Sequence, residues 1–313
     1  MDSKAYLNNV LTDDQISSRS QEAKSQLYHY TVRSDSLLKR SPVLQKSYTQ
    51  STDPKFGAYI DTEAILYIRE LQDCGVSLPS WQDMITVGGE TDLRLFLQIG
   101  RSCYDVINKY LPNKSEPLRI LDFGVGCGRT ARHFFRYIEQ YEIHGCDVDA
   151  APIEYLREKV PLIQPLLSSN EPPLPYNSNY FDAIYSVSVF SHLNQSSFVA
   201  WAEDLSRIMQ LGGILVITIH GLHALDILRH NKRPDSIGID GNIFRTAESN
   251  FEHEGFIWMP QATGSGDIDT NQYGISFVDK KRLLSYLPKS LKVIHYGEGE
   301  IGNWQDLVVI QKI

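Results

Sequence analysis

The chain has 313 residues, of which 42% are hydrophobic and 22% charged, a composition that excludes a disordered or fibrous protein and allows one large domain or two modest ones. Thirty basic residues against 38 acidic ones give a net charge of −8, and the basic residues form no runs, which argues against a nucleic-acid partner. Cys74, Cys103, Cys127 and Cys146 lie far apart with no C-x-x-C or metal-type spacing, so neither a disulfide framework nor a zinc site is expected, and reduced thiols fit a cytoplasmic protein.

The N-terminus lacks the basic start and apolar stretch of a signal peptide, and the longest apolar run, Ile214 to Ile219, is too short to cross a bilayer, so neither export nor a membrane is expected. Residues 1–60 are polar, with Leu27, Tyr28, Tyr30, Leu37 and Leu38 as the sustained apolar positions, and read as an arm or a helical lid. Asp61-Thr62 ahead of Ala64, Ile65, Ile68 and Leu71, closed by Gly75, predicts a capped amphipathic helix. Leu93, Phe96, Leu97, Gly100, Tyr104 and Ile107 predict a second helix, ending before Pro112. The Lys114-Ser-Glu-Pro117 stretch reads as a linker. The expected division is therefore 1–115 as an N-terminal helical arm or lid, 116–225 as a cofactor-binding core, and 226–313 as an acceptor-shaping insertion with a terminal strand pair that completes the core sheet.

From Leu118 onward short apolar runs alternate with amphipathic ones. Strands are expected at Leu118–Phe123, Glu142–Val148, Ile163–Leu167, Tyr180–Val187 and Ile214–Ile219. Helices are expected at Arg129–Tyr141, at Ala150–Val160, and along the face of Phe198, Trp201, Ala202, Leu205, Ile208 and Met209, which Gly212-Gly213 should stop. This rhythm predicts an α/β fold, a mostly parallel sheet covered on both faces. Gly221 to Leu291 reads as irregular, and Leu291–Tyr296 with Leu307–Ile310 as a terminal antiparallel pair.

The segment Leu118-Arg-Ile-Leu-Asp122-Phe-Gly124-Val-Gly126-Cys-Gly128-Arg129 runs from a strand through three alternating glycines into a helix, the place where α/β sheets bind cofactors. A dinucleotide fingerprint needs glycine at position 129, where Arg129 stands, and no G-K-[ST] follows to make a phosphate loop. Asp122 would repel a diphosphate and attract a cation. S-adenosylmethionine, with an ammonium, a sulfonium and no phosphate, suits such a loop. Asp147, at the end of the next strand and 25 positions on, can accept both hydroxyls of a ribose.

Asp122-Phe-Gly-Val-Gly-Cys-Gly128 with the Asp147 strand resembles motifs I and II of class I S-adenosylmethionine-dependent methyltransferases. Pro172-Pro-Leu-Pro175, Phe181-Asp182, Ser188-Val-Phe-Ser-His192-Leu193, Leu211-Gly-Gly213, Thr218-Ile-His220-Gly221 and Gln305-Asp306 are similar to a bacterial branch that tailors sugars and natural products. The resemblance covers roughly residues 80–313. It implies a Rossmann-like seven-stranded sheet with an antiparallel C-terminal strand, S-adenosylmethionine as cofactor, and methyl transfer to a hydroxyl or carboxylate oxygen of a small molecule, sugar or modified peptide.

The cofactor residues expected are Asp122, Phe123, Gly124, Gly126, Gly128, Asp147, Val148 and Ser188. Many members of the family place an acid after the third strand for the adenine amino group. Here the region reads Leu167-Ser-Ser-Asn170-Glu171, and Asn170 is chosen because an amide both donates and accepts. Asp149 is read first as a helix cap. His192 and His220, each after a strand end on the ligand side, are candidates for a general base, or else cap turns and pack. Tyr273 resembles a tyrosine-glycine step of the same branch and either meets the acceptor or packs. Arg229 and Arg233 are candidates to hold a carboxylate acceptor. No metal is expected, since His220, His223 and Asp226 straddle a strand end. Pro172-Pro173 precedes the fourth strand instead of following it, which argues against a clamp for a nucleobase amine. A non-catalytic module that binds S-adenosylmethionine and a nicotinamide oxidoreductase remain as alternatives, the second disfavoured by Asp122 and Arg129.

Overall fold

The computed structural model of the protein describes residues 76–79, 93–231, 239–260 and 274–313. Tyr28, Tyr30, the helix expected after Asp61, Arg233 and Tyr273 lie outside them. Nine strands are described: β1 (Leu118–Phe123), β2 (Tyr141–Asp147), β3 (Gln164–Leu167), β4 (Phe181–Ser186), β5 (Met209–Ile219), β6 (Phe256–Pro260), β7 (Gly274–Val278), β8 (Leu291–Ile301) and β9 (Gln305–Lys312). Six α-helices accompany them: α1 (Leu93–Asn108), α2 (Ala150–Lys159), α3 (Gln195–Ile208), α4 (Leu222–Asn231), α5 (Gly241–Glu254) and α6 (Lys280–Tyr286).

Seven strands form one sheet in the order β3-β2-β1-β4-β5-β9-β8. β1 to β5 are parallel, while β9 enters antiparallel beside β5 and β8 pairs antiparallel with β9. This is the Rossmann-like methyltransferase architecture that the sequence predicts. The strand order reverses between β1 and β4, and a crevice opens at the carboxyl ends of strands on either side of such a switch point.

Alternation along the strands decides which layer each side chain joins. Leu118 and Ile120 of β1, Ile214 and Val216 of β5, and Leu307 and Val309 of β9 pack on one face with α1, α2 and the Ala131–Gln140 helix. Their neighbours Leu121, Phe123, Leu215, Ile217, Val308 and Ile310 face the other way, onto α3 and α6. A strand buried on both faces has no polar side to display, which is why these runs are continuously apolar. Asp182, buried in β4, ties down the linker: its carboxylate accepts the Arg119 N–H at 2.9 Å and pairs with Lys114.

Three local expectations are refined or corrected. The helix expected over Arg129–Tyr141 is present as a 3-10 helix at Ala131–Gln140: His133 N–H bonds back three residues to Thr130 O, and Tyr137 leaves helical geometry at φ −123°. The buried guanidinium of Arg132 reaches back to Gly128 O at 3.0 Å and Cys127 O at 2.8 Å, fixing the tight entry from the glycine loop. Second, α3 ends at Ile208 because Met209 is already extended, so Gly212-Gly213 lies inside β5 and does not stop the helix. Third, the described residues between Gly221 and Leu291 are not irregular. They hold α4, α5 and the antiparallel β6–β7 pair, which share a separate apolar cluster that includes Leu225, Phe244, Phe251 and Phe277, and α6, whose Leu283 and Tyr286 join the cluster beneath α3.

Candidate active site

The crevice between β1 and β4 holds a cavity of about 200 Å³. Its floor is the glycine loop. Gly124, Gly126 and Gly128 have φ of 83°, 50° and 78°, left-handed values that a side chain rarely tolerates. Gly124 is also constrained by space, since a Cβ there would stand 2.2 Å from Val189 Cγ2. The N–H groups of Gly124 and Val125 both donate to Cys146 O, at 2.8 and 2.9 Å, so the loop is bound to the end of β2. From the far side α1 packs close, with Gly100 leaving no room for a Cβ, which would lie 2.2 Å from Arg129 O.

Asp147 closes this turn. One carboxylate oxygen accepts the Gly126 N–H at 2.8 Å and the other accepts the Asp149 N–H at 3.1 Å. Each oxygen retains acceptor capacity towards the cavity that Asp147 lines. Burial pushes its carboxyl above the ordinary range, against those N–H bonds. Asp149 caps α2 by accepting the Ala151 N–H at 3.0 Å, the role expected of it, and also borders the cavity. Asp122 is buried at the end of β1 and lines the cavity too. Burial raises its carboxyl well above the usual range, the Asp147 charge adds to this, and Tyr185 and Arg129 oppose it.

Of the residues singled out in the sequence, Phe123, Gly124, Gly126, Val148, Asn170, Ser188 and His192 line the same cavity as Asp122 and Asp147. Gly128 does not line it and lies beneath, where a Cβ would stand 3.2 Å from Ile163 Cδ1. His220 is not on the wall either. Its two nitrogens are engaged behind it, by Ser276 O at 3.2 Å and the Trp304 indole N–H at 2.9 Å. Arg229 pairs with Glu248 and Asp226, away from the cavity.

His192 lines the cavity in the segment that follows β4. Its Nδ1 lies 2.7 Å from Gly274 O, and a carbonyl only accepts, so Nδ1 carries the hydrogen and Nε2 the lone pair. Gly274 N–H returns a bond to His192 O at 3.2 Å, and the Trp258 indole N–H donates to that oxygen at 3.1 Å. Burial lowers the His192 pKa below its ordinary value, keeping the imidazole neutral near pH 7. The β6–β7 pair thereby holds this residue against the sheet.

Sequence reasoning missed Arg129 and Trp201 as cavity residues. Trp201 recurs at helical spacing with core residues of α3, so nothing in the pattern separates it from them. Arg129 was read only as a break in a dinucleotide fingerprint. It lines the cavity and forms no ion pair among the described residues.

Residues 120–213 match the family described as a methyltransferase domain. The chain is 26% identical over 102 residues to a malonyl-[acyl-carrier protein] O-methyltransferase of Halorhodospira halophila, covering 32% of each protein. It is 30% identical over 110 residues to the corresponding Legionella pneumophila protein, covering 34% of this chain and 38% of that one. The matched stretch thus spans about a third of these relatives' length. A crystal structure of a Pyrococcus horikoshii protein superposes with a TM-score of 0.51 at 13% identity, covering 71% of this chain and 92% of that one. Over residues 120–213 the chain is thus similar to a methyltransferase domain, the sheet has the Rossmann-like methyltransferase order, and the cofactor that goes with such a domain is S-adenosylmethionine. The cavity fits that cofactor by its own chemistry, with side-chain-free glycines, acceptor oxygens on Asp147 and a buried acid at Asp122. No helix among the described residues is long and apolar enough to cross a membrane.

Proposed function

We propose that the protein moves a methyl group from S-adenosylmethionine to a hydroxyl oxygen of a small molecule, sugar or modified peptide, in the tailoring of a natural product. The observation that carries the oxygen reading is the fixed tautomer of His192, a neutral imidazole with its Nε2 lone pair, on the wall of the cavity that also holds Asp122 and Asp147. S-adenosylmethionine supplies, when bound, an electrophilic methyl on a good leaving group. The chain's part is to align and to exclude water. Asp147 accepts the ribose hydroxyls, the carboxylate form of Asp122 faces the ammonium, Arg129 offers a partner to the carboxylate, and Asn170 meets the adenine edge. His192 takes the acceptor's proton at Nε2. A hydroxyl acceptor is favoured over a carboxylate because Arg229, one of the cations expected to hold a carboxylate, is committed to Glu248 and Asp226.

Mass-spectrometric screening with isotopically labelled methyl donor against hydroxyl and carboxyl compounds tests this reading. It predicts label on hydroxyl oxygen, and His192→Ala should lower turnover at least tenfold while S-adenosylmethionine affinity stays within about twofold of wild type. Wild-type turnover in His192→Ala would remove the base, and label on carboxyl compounds alone would overturn the acceptor class.

A further inference from the structure

The cavity wall that follows β4 is held by buried polar groups from strands far away in sequence. Ser188 has φ of 60°, an unfavourable conformation for a residue with a Cβ, and such a conformation persists only where the surroundings fix it. Its N–H donates to Thr218 Oγ1 at 2.7 Å, and its hydroxyl donates to Gln305 Oε1 at 3.1 Å. Gln305 Nε2 is in turn 3.4 Å from His220 Nε2 and 3.5 Å from Ser191 Oγ.

His220 is the hub of this network. Its Nε2 faces the Trp304 indole, which can only donate, so this nitrogen is the acceptor. Its Nδ1 faces Ser276 O, which can only accept, so Nδ1 carries the hydrogen. One neutral tautomer satisfies both contacts, and neither nitrogen is left for a substrate proton. Ser276 carries the connection on to the other end of the wall, with its N–H donating to Ser191 O at 2.8 Å and its hydroxyl to Phe190 O at 3.2 Å. His192 follows directly.

We propose that His220 and Gln305 are positioning residues, which hold Ser188 in its left-handed conformation on the cofactor cavity and, through Ser276, hold the segment that carries His192. His220 acts through its neighbours and takes no proton from the acceptor. This assignment rests on the methyltransferase reading above and replaces the expectation of His220 as a base.

Isothermal titration of the full chain with S-adenosylhomocysteine tests it. Gln305→Leu, close in size but without the amide, should bind about five- to tenfold more weakly, and Ser188→Ala by a similar factor. The double variant should bind no more weakly than the weaker single one, because Gln305 works through the Ser188 hydroxyl. A general loss of packing would instead give losses that multiply. Undiminished affinity in Gln305→Leu, or multiplying losses in the double variant, would overturn the proposal. Should Gln305→Leu not fold, Trp304→Phe, which removes the indole N–H, takes its place with a smaller loss that also vanishes in the Ser188→Ala background. Failure of the wild-type protein to bind S-adenosylhomocysteine would instead refute the methyltransferase reading on which this rests.

Discussion

At the scale of single residues the account is electrostatic. Asp122 and Asp147 border one cavity, burial raises the pKa of both, and the Asp147 charge adds to the rise at Asp122, so the site disfavours two full negative charges. A bound cation reverses that preference and draws the protons off. Cofactor binding therefore releases protons, and affinity for S-adenosylmethionine should rise with pH through the raised pKa of Asp122 and fall below it. Titrations across pH 5 to 8 check this, and Asp122→Asn should flatten the profile as well as weaken binding. Affinity that stays flat in the wild type, or falls as pH rises, would show that Asp122 meets no cation. The places of Gly124, Gly126 and Asp147 on the cavity were open to reading because spacing alone carries them. The place of Arg129 there was not, since its lack of an ion-pair partner among the described residues is a property of three dimensions. Nor was the separation of His192 from His220: both follow strand ends, and only the Trp304 indole and the Ser276 carbonyl distinguish them.

At the scale of elements, periodicity located what repeats and missed what tertiary contact decides. β1, β2, β4 and the terminal pair were legible because continuous apolar runs bounded by turn residues have few other fates. The 3-10 character of Ala131–Gln140 was not, because it follows from the buried Arg132 reaching back to the loop. The elements between Gly221 and Leu291 were missed because their apolar residues are spread over short helices and strands that pack mainly on one another. α3 borders the cavity through Ser197 and Trp201, and its Phe198, Trp201, Leu205 and Ile208 are buried against the sheet. Leu205→Ala removes a fully buried side chain and should cost about 2–5 kcal/mol in urea unfolding, whereas Leu211→Ala, at an exposed position, should cost under about 0.5 kcal/mol. Equal effects at the two sites would mean that α3 is not packed as described.

At the scale of the whole molecule, two helical layers bury a seven-stranded sheet, and the groups taken inside with it tie stability to pH. Burial lowers the pKa of His133 and of His220 to about 3. The unfolded chain takes up these protons near pH 6.5 while the folded one refuses them until about pH 3. Each histidine therefore leaves stability intact above pH 6.5 and erodes it, by up to about 1.4 kcal/mol per pH unit, as pH falls towards 3. Asp122, Asp147 and Asp306, whose pKa values burial raises, act in the opposite sense, so the test is differential. His133→Gln should be less stable than wild type at pH 7.5 and close that gap by pH 5, and a gap constant across this range would contradict the buried neutral imidazole. The cofactor cavity at the strand ends is the feature on which the functional account turns. Isothermal titration with S-adenosylmethionine, S-adenosylhomocysteine and NAD, on wild type and Asp147→Ala, addresses it most directly. The two adenosyl ligands should bind and NAD should not, with Asp147→Ala weakening the adenosyl ligands by about 1–3 kcal/mol through lost charged hydrogen bonds. NAD binding without an adenosyl response, or adenosyl affinity undiminished in Asp147→Ala, would contradict the account.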